Sequence, residues 1–280
     1  MQFTKGHGTG NDFVLLPDPD GQLDLTPALV AALCDRRFGI GGDGVLRVVR
    51  AAKHPDGADQ AGEAEWFMDY WNADGSFAEM CGNGARVFAR YLVESGLADP
   101  PGGALTIATR AGAVRARVTG AEVAVDLGAP RLAGHGTASV GALSLTGVAV
   151  DCGNPHLVCA LPAGADLATL DLSHSPGYEP AIFPNGVNVE FTTPGEATVP
   201  GADVHVRMRV FERGSGETMS CGTGACAVAA VALAGAGRAT GVVAVDLPGG
   251  RLTVSIDPPT CWLSGPTALV ATGAITLTTP

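Results

Sequence analysis

Short apolar stretches recur through both halves of the chain, many alternating with polar residues and most bounded by glycine or proline. Such stretches are typical of β-strands. They predict strands around Phe3 and over Phe13–Leu16, Val45–Val49, Ala64–Trp71, Thr106–Thr109, Ala113–Val118, Val123–Asp126, Leu157–Ala160, Asn188–Phe191, His205–Phe211, Val242–Asp246 and Arg251–Ile256.

Three segments have a helical pattern instead. Thr26–Pro27 ahead of ALVAALC is an N-cap followed by proline, which predicts a short helix there. A longer helix is predicted over Gly82–Ser95, with Gly96 as its stop. Another is predicted over Gly222–Ala234, with Gly235 as its stop. The last helix is apolar on every side, so we expect it to be buried.

The two long helices belong to a repeat. The segments NADGSFAEMCGNGARVFARYL and ERGSGETMSCGTGACAVAAVAL align when Cys81 is placed on Cys221, 140 positions later. GHGTGNDFVLL likewise resembles VDCGNPHLVCAL, and GGDGVLRV resembles FPNGVNVE, at offsets of 143 and 142. Chance would not keep three pieces in one order at nearly one spacing, and the period is too long for a solenoid.

The repeat predicts an α+β protein of two pseudo-symmetric domains, each a mixed, curled sheet around one central helix. We expect the first domain to comprise residues 1–118 together with 264–280, and the second to comprise residues 119–263. Because the halves are similar, we expect a pseudo-two-fold relation between them.

Composition narrows the classes of protein. Hydrophobic residues make up 46% of the 280 residues and charged residues 16%, which is typical of a folded globular chain. The net charge is −11 and the chain has no run of lysine or arginine, so we expect no nucleic-acid partner. The N-terminus does not resemble a signal peptide, and the apolar runs are too short to span a bilayer. We therefore expect no membrane partner and a cytoplasmic location.

The cysteines and lysines argue against several further kinds of chemistry. The seven cysteines are odd in number and include no CxxC pair, which argues against a disulfide framework and against a zinc site. Lys5 and Lys53 are the two lysines in the sequence, and neither position suits the Schiff base of a pyridoxal-phosphate enzyme. We expect no metal and no cofactor.

The repeated Cys-Gly-x-Gly turns carry the candidate chemistry. A helix N-terminus has partial positive charge and unpaired N–H groups, so it should lower the pKa of Cys81 and of Cys221 and bind a carboxylate. Inverting a stereocentre needs a proton removed from one face and another returned to the opposite face. Two thiols, one of them ionised, meet this need without an electron-sink cofactor. The sequence leaves open which thiol is ionised at rest.

A lone cysteine at the start of a helix is usually structural, and its recurrence with glycines at matched positions is what favours catalysis here. Cys226 is interpreted as a small core residue. The others are interpreted as core residues or as having no special role: Cys34, Cys152, Cys159 and Cys261.

Five stretches resemble the diaminopimelate epimerase family along nearly the whole chain: KGHGTGNDF, NADGSFAEMCGNGAR, GNPH, FPNGVNVEF and ERGSGETMSCGTGAC. The resemblance implies a cofactor-independent epimerase that interconverts LL- and meso-diaminopimelate for lysine and peptidoglycan precursors, assembled as a homodimer. It implies the following roles: Cys81 and Cys221 as the acid/base thiols; Gly82, Asn83, Gly222 and Thr223 around the reacting carboxylate; Asn11 and Glu212 near the reacting amino group; Asn72, Asn154, Asn188 and Arg213 on the distant amino-acid head; and His156 near the first cysteine, tuning its proton affinity.

Taken alone, these asparagines could be turn residues, His156 a core histidine and Glu212-Arg213 a surface pair. The chain departs from the family pattern at one position. Many relatives carry glutamine after the aspartate of GxGxDQ, whereas this chain has Gly44, so a contact near the reacting amino group is missing or replaced.

Other readings fit less well. Proline racemase-like enzymes share the paired cysteines, but their first cysteine is typically followed by Gly-His, and phenazine-type isomerases lack the thiol pair. The segment 39–44 matches GxGxxG, yet it follows a predicted helix and precedes a predicted strand, the reverse of a dinucleotide fingerprint. A non-catalytic carboxylate-binding module and a redox switch through a Cys81–Cys221 disulfide also stay open.

Overall fold

The structure is a computed structural model that describes residues 1–276. Three α-helices are present in the described chain: α1 (Pro27–Cys34), α2 (Gly82–Glu94) and α3 (Gly222–Gly235). The strands are β1 (Gln2–Gly8), β2 (Asn11–Pro17), β3 (Gly44–Arg50), β4 (Trp66–Asn72), β5 (Ala104–Ala108), β6 (Val114–Thr119), β7 (Glu122–Asp126), β8 (Arg131–Val140), β9 (Leu143–Asp151), β10 (Pro155–Ala160), β11 (Gly177–Tyr178), β12 (Asn188–Pro194), β13 (Val204–Glu212), β14 (Gly216–Thr218), β15 (Gly241–Leu247), β16 (Gly250–Asp257) and β17 (Thr260–Ala274).

The chain forms two compact units. Unit 1 comprises Met1–Val125 and the described residues from Gly265 onward, and unit 2 comprises Asp126–Ser264. The sequence had placed the corresponding divisions at 118/119 and 263/264. The last residues assigned by sequence to the first domain, 277–280, lie outside the described part of the chain.

Unit 1 is a mixed sheet curled around α2. Its first five neighbouring pairs, from β1–β2 to β5–β6, alternate between antiparallel and parallel. The antiparallel pair β6–β7 follows, and β17 pairs with both β7 and β1. These pairings link eight strands into a closed ring.

Unit 2 repeats this arrangement around α3. Its pairs β9–β10, β10–β12, β12–β13, β13–β15 and β15–β16 show the same alternation of antiparallel and parallel. β8 pairs with β9, and the first part of β17 pairs with β16. Backbone hydrogen bonds from Leu127 to Cys261 and from Ala129 to Pro259, of 2.9 and 3.1 Å, link the chain before β8 to β17. The expected α+β class, with two similar halves, is confirmed.

Each central helix is buried because the surrounding sheet covers most of its circumference. Ten of the 13 residues of α2 are buried, and α3 is nearly as enclosed. α2 stops where predicted, since Gly96 has the left-handed φ of +69° that glycine adopts without strain. The predicted end of α3 was short: Gly235 is still helical, and Gly237 is the residue with positive φ, at +70°.

Three long strands, β8, β9 and β17, were not predicted from the sequence. β8 and β9 form a hairpin, and the first five residues of β8 are all exposed, so that half of β8 has no buried apolar face. β17 has residues in both units, and its buried alternation stops after Thr267. A strand whose surroundings change along its length has no single apolar face for a pattern to reveal. Among the described residues, no helix combines the length and apolar character needed to span a bilayer.

Candidate active site

Cys81 and Cys221 occupy equivalent positions at the starts of the two central helices. Each is the N-cap residue, with extended backbone, and its Sγ accepts a hydrogen bond from the N–H three residues later. The donors are Gly84 and Gly224, each at 3.4 Å. A thiol thereby takes the place that serine or aspartate usually takes at a helix start. The N–H groups at the start of a helix point toward solvent or ligand and can receive an anion.

Asn11 lies beside the first thiol. Its Oδ1 is 3.6 Å from Sγ of Cys81 and accepts a 3.3 Å hydrogen bond from Nδ2 of Asn83. Its Nδ2 donates to Asp43 at 2.7 Å, which fixes the orientation of the amide. The structure thus brings together the predicted residues Asn11, Cys81, Gly82 and Asn83, and adds Asp43.

The Asn83 side chain is held in place by Arg86, a fully buried arginine that the sequence did not identify as a site residue. Arg86 donates to Oδ1 of Asn83 at 2.6 Å, to the Thr9 hydroxyl at 3.2 Å and to the Pro266 carbonyl at 3.1 Å. A planar guanidinium suits such divergent acceptors. It fixes the first turn of α2, on which the thiol is mounted.

A charged network supports Asn11 from the other side. Arg36 donates to the carboxylates of both Asp12 and Asp43, at 2.7 and 2.8 Å, and Lys5 donates to Asp12 at 2.6 Å. Burial works to raise the pKa of Asp12, but the hydrogen bonds and charges of Arg36 and Lys5 outweigh it and hold that pKa well below its usual range. Lys5 is therefore engaged in an ion pair.

Cys221 lies in a more enclosed setting. Burial and the nearby carboxylates of Glu212 and Glu190 raise its pKa well above the usual value, against the opposing hydrogen bonds from Gly224 and Thr223. The net shift is therefore opposite in direction to the one expected from the helix N-terminus. The helix contributes in the expected direction, but desolvation and two carboxylates are stronger. The raised pKa favours the protonated form of the Cys221 thiol.

Glu212 is one of the two carboxylates close to the Cys221 thiol. It ends β13, and its Oε1 accepts a hydrogen bond from the Thr218 hydroxyl. Burial raises its pKa, which the hydrogen bonds from Thr218 and Cys221 partly oppose. The pair of Glu212 and Cys221 is consequently suited to hold and exchange a proton.

His156 lies in unit 2, completely buried, within a line of three polar groups. Its Nδ1 is 2.6 Å from Oε1 of Glu190, and its Nε2 is 2.9 Å from Oδ1 of Asn154. Burial raises the pKa of Glu190, which the neighbouring His156 opposes. Sequence reasoning did not single out Glu190.

Three other predicted residues take part in local hydrogen bonds. Asn188 donates to the Pro155 carbonyl and accepts from the Arg213 backbone N–H, both at 2.9 Å. The Arg213 guanidinium donates to the Asn185 carbonyl at 3.1 Å. In unit 1, Asn72 ends β4 and donates to the Ser76 hydroxyl at 3.0 Å. Asn188 therefore joins Arg213 to the strand that carries His156.

Gly44 occupies the position where the family resemblance led us to expect glutamine, and its surroundings require a glycine. A Cβ there would lie 2.4 Å from the Trp71 carbonyl oxygen and 2.8 Å from the Tyr70 ring. The adjacent strand therefore leaves no room for a side chain. The segment 39–44 joins α1 to β3, as expected, which is the wrong context for a dinucleotide site.

Within residues 1–276, no group of three or more histidine, cysteine or acidic side chains is placed to hold a metal ion. All seven cysteines are free thiols. The side chains described at the site are thiols, carboxylates, amides and the buried His156, beside two helix N-termini.

The model of the diaminopimelate epimerase family matches residues 3–133 and 148–276. The chain belongs to the diaminopimelate epimerase family. The diaminopimelate epimerase of Mycolicibacterium smegmatis is 50% identical over 98% of this chain and 97% of that protein. That of Corynebacterium glutamicum is 47% identical over 98% of each.

A solved structure of the phenazine biosynthesis PhzF family from Enterococcus faecalis shares the fold. Its TM-score is 0.67 at 13% identity, and the match covers 99% of this chain and 100% of that one. At such identity the likeness concerns the fold alone, and the family assignment rests on the close relatives.

Proposed function

We propose that this protein is a cofactor-independent epimerase that interconverts LL- and meso-diaminopimelate through two thiols, Cys81 and Cys221. The observation that carries the proposal is the equivalent N-cap position of the two cysteines on matched central helices. Family membership and the names of the close relatives support the choice of substrate, which in turn gives the protein its place in lysine and peptidoglycan precursor synthesis.

The chemistry requires one thiol to act on each face of the substrate α-carbon. One sulfur, as thiolate, removes the α-proton, and the other, as thiol, donates its proton to the opposite face. Negative charge accumulates on the carboxylate as the α-carbon is deprotonated. The helix N-termini at Gly82-Asn83 and Gly222-Thr223 offer N–H groups to that charge, which lowers the barrier.

In the resting enzyme, Cys221 is the proton donor. Its raised pKa keeps it protonated, and the base in that half of the cycle is then Cys81. In the reverse direction the roles exchange, and Cys221 must lose its proton. Glu212 is the group placed to accept it, because its carboxyl is hydrogen-bonded to the thiol and has a raised pKa of its own.

The remaining polar residues divide by role. Asn11 and Glu212 lie next to the two thiols in their respective units and suit the reacting amino group. Asn72, Asn154, Asn188 and Arg213 are assigned to the distant head, where amides and a guanidinium discriminate a carboxylate from an ammonium group. His156, which the family resemblance assigns to tuning the first cysteine, is fully buried in unit 2.

The test is proton NMR of the reduced protein with LL-diaminopimelate in D₂O and no added cofactor. We expect the α-proton signal to decline and the meso isomer to form. The matched control is the Cys81→Ser protein, which keeps the fold and should give neither change. If wild type neither exchanges nor converts the substrate while its thiols titrate as reduced, the proposal is wrong.

Two further properties stay predictions. The family resemblance favours a homodimer, which light scattering of the purified protein will decide. A cytoplasmic location accords with a pathway that supplies lysine, and fractionation of the source cells will test it.

A further inference from the structure

Glu190 has no role in the chemistry described so far, yet it is a fully buried acid beside the candidate site. It lies on β12, and His156 lies on the parallel neighbour β10, where His156 is paired with Asn188 and Val158 with Glu190. Residues two apart on a strand point to the same face. His156 and Glu190 therefore meet diagonally on the face that covers α3.

The carboxyl of Glu190 is confined from the other side by α3. A Cβ on Gly224 would lie 2.8 Å from Oε1 of Glu190, so only a glycine leaves the carboxyl its place. Gly224 is also the residue whose N–H bonds to Sγ of Cys221. The first turn of α3 thus borders both the thiol and the carboxyl.

The hydrogen-bonded line of Glu190, His156 and Asn154 determines which of its atoms carry protons. Oδ1 of Asn154 is an acceptor, so Nε2 of His156 must carry a hydrogen to bond to it at 2.9 Å. At 2.6 Å, Nδ1 and Oε1 of Glu190 share a second proton. With two protons the pair is neutral overall, as burial demands. With Oδ1 so engaged, Nδ2 of Asn154 is oriented as a donor.

We propose that Glu190 is a positioning residue, which holds His156 in the form that carries a proton on Nε2 and thereby orients the side-chain amide of Asn154 for the distant head of the substrate. The line Glu190–His156–Asn154 acts through geometry and does not touch the reacting atoms. Its effect on substrate rests on the proposed function, whereas the proton arrangement within the line does not.

The proton arrangement is tested by ¹⁵N NMR of the histidine rings at about pH 8, well above the ordinary histidine pKa. The His156 signals are identified by their absence in the His156→Gln protein. Wild type should show a single His156 species with hydrogen on Nε2. In Glu190→Gln the amide can donate to or accept from Nδ1, so the ring should sample both tautomers. Identical ring shifts in the two proteins would overturn the proposal.

Kinetics test the consequence. Glu190→Gln should raise KM about tenfold, as expected for a charged hydrogen bond lost from a binding group, and change kcat much less. Glu190→Asp, which keeps the carboxyl, should recover part of the loss. In a His156→Gln background, Glu190→Gln should add no further rise in KM, because the line is already broken.

Glu196→Gln, the same change at an exposed site of unit 2, is the control and should match wild type. An active wild type with unchanged KM in Glu190→Gln would refute the positioning role alone. An inactive wild type would refute the proposed function, and the ¹⁵N signals would still decide the proton arrangement.

Discussion

Cys81 and Cys221 are both N-cap residues of a buried central helix, and each Sγ accepts a hydrogen bond of 3.4 Å from the N–H three residues later. Beyond this common frame their surroundings differ. Cys81 has the amide of Asn11 beside it, whereas Cys221 has the carboxylates of Glu212 and Glu190. Near-identical backbones thus carry thiols in unlike electrostatic settings.

The setting of Cys221 is expected to respond to Glu212. Removing a nearby carboxylate removes repulsion from the thiolate, so Glu212→Gln should lower the pKa of Cys221. One pKa unit changes the thiolate fraction about tenfold, and we expect alkylation of Cys221 by iodoacetamide at fixed pH to quicken about threefold to tenfold. Peptide-resolved mass spectrometry measures the rate.

Glu217→Gln is the matched control for that experiment. Glu217 is in the adjacent β14 and pairs with Arg209 at 2.6 Å, so its loss changes the charge of the same hairpin without touching the thiol. Equal rates in the Glu212 and Glu217 variants would show that Glu212 does not set the protonation of Cys221.

The equivalent glycines should tolerate a methyl group unequally. A Cβ on Gly84 or Gly224 would lie 3.3 Å from the Cβ of its own N-cap cysteine, so that contact is the same in both units. Gly224 alone faces the Glu190 carboxyl, at 2.8 Å. We expect Gly224→Ala to lose about 1–2 kcal/mol of unfolding free energy by overpacking, and Gly84→Ala to stay within about 1 kcal/mol of wild type.

Urea denaturation of the two alanine variants measures this difference. The helix propensity gained by replacing glycine is common to both, so the difference isolates the Glu190 contact. Variants of equal stability would contradict the close approach of that carboxyl to α3.

The ion pairs of Asp12 should make stability depend on pH. A carboxyl whose pKa is lowered in the folded state stabilises it above the unfolded pKa, near 4, and loses that contribution as pH falls toward the folded pKa. At neutral pH, Asp12→Asn should cost about 1–3 kcal/mol. That difference from wild type should shrink as pH falls below about 4.

Thermal or urea unfolding of wild type and Asp12→Asn across this pH range is the measurement. Asp24→Asn, at an exposed position of the same unit, serves as the control and should show no such gap. A gap for Asp12→Asn that stays constant down to the most acid pH would mean that its ion pairs contribute nothing to the folded state.

The arrangement of two similar domains, each with one central helix, could be predicted because the sequence contains the same motifs twice. A Cys-Gly-x-Gly sequence marks the start of each central helix, and the repeat locates the second of these helices. Glu190 could not be predicted, since a charged residue in FPNGVNVEF gives no sign of being fully buried. Its partner His156 lies 34 positions earlier, and only the parallel pairing of their strands makes them neighbours.

The protonation of Cys221 shows the same limit. The helix start is visible in the sequence and does favour the thiolate. The opposing carboxylates come from β12 and β13, and enclosure comes from the whole of unit 2. These contributions to the pKa of Cys221 depend on tertiary packing, so the local sequence cannot give the direction of the net shift.

If two separate thiols handle the α-proton, the first turnovers of LL-diaminopimelate in D₂O will show it. A proton removed by one thiol stays on that thiol, while the other delivers solvent deuterium. We therefore expect the first meso product to carry deuterium at the α-carbon that has been inverted, while the remaining LL substrate is unlabelled. Meso product that retains the original proton in these turnovers would mean that one group carries it from face to face, and would contradict the two-thiol mechanism.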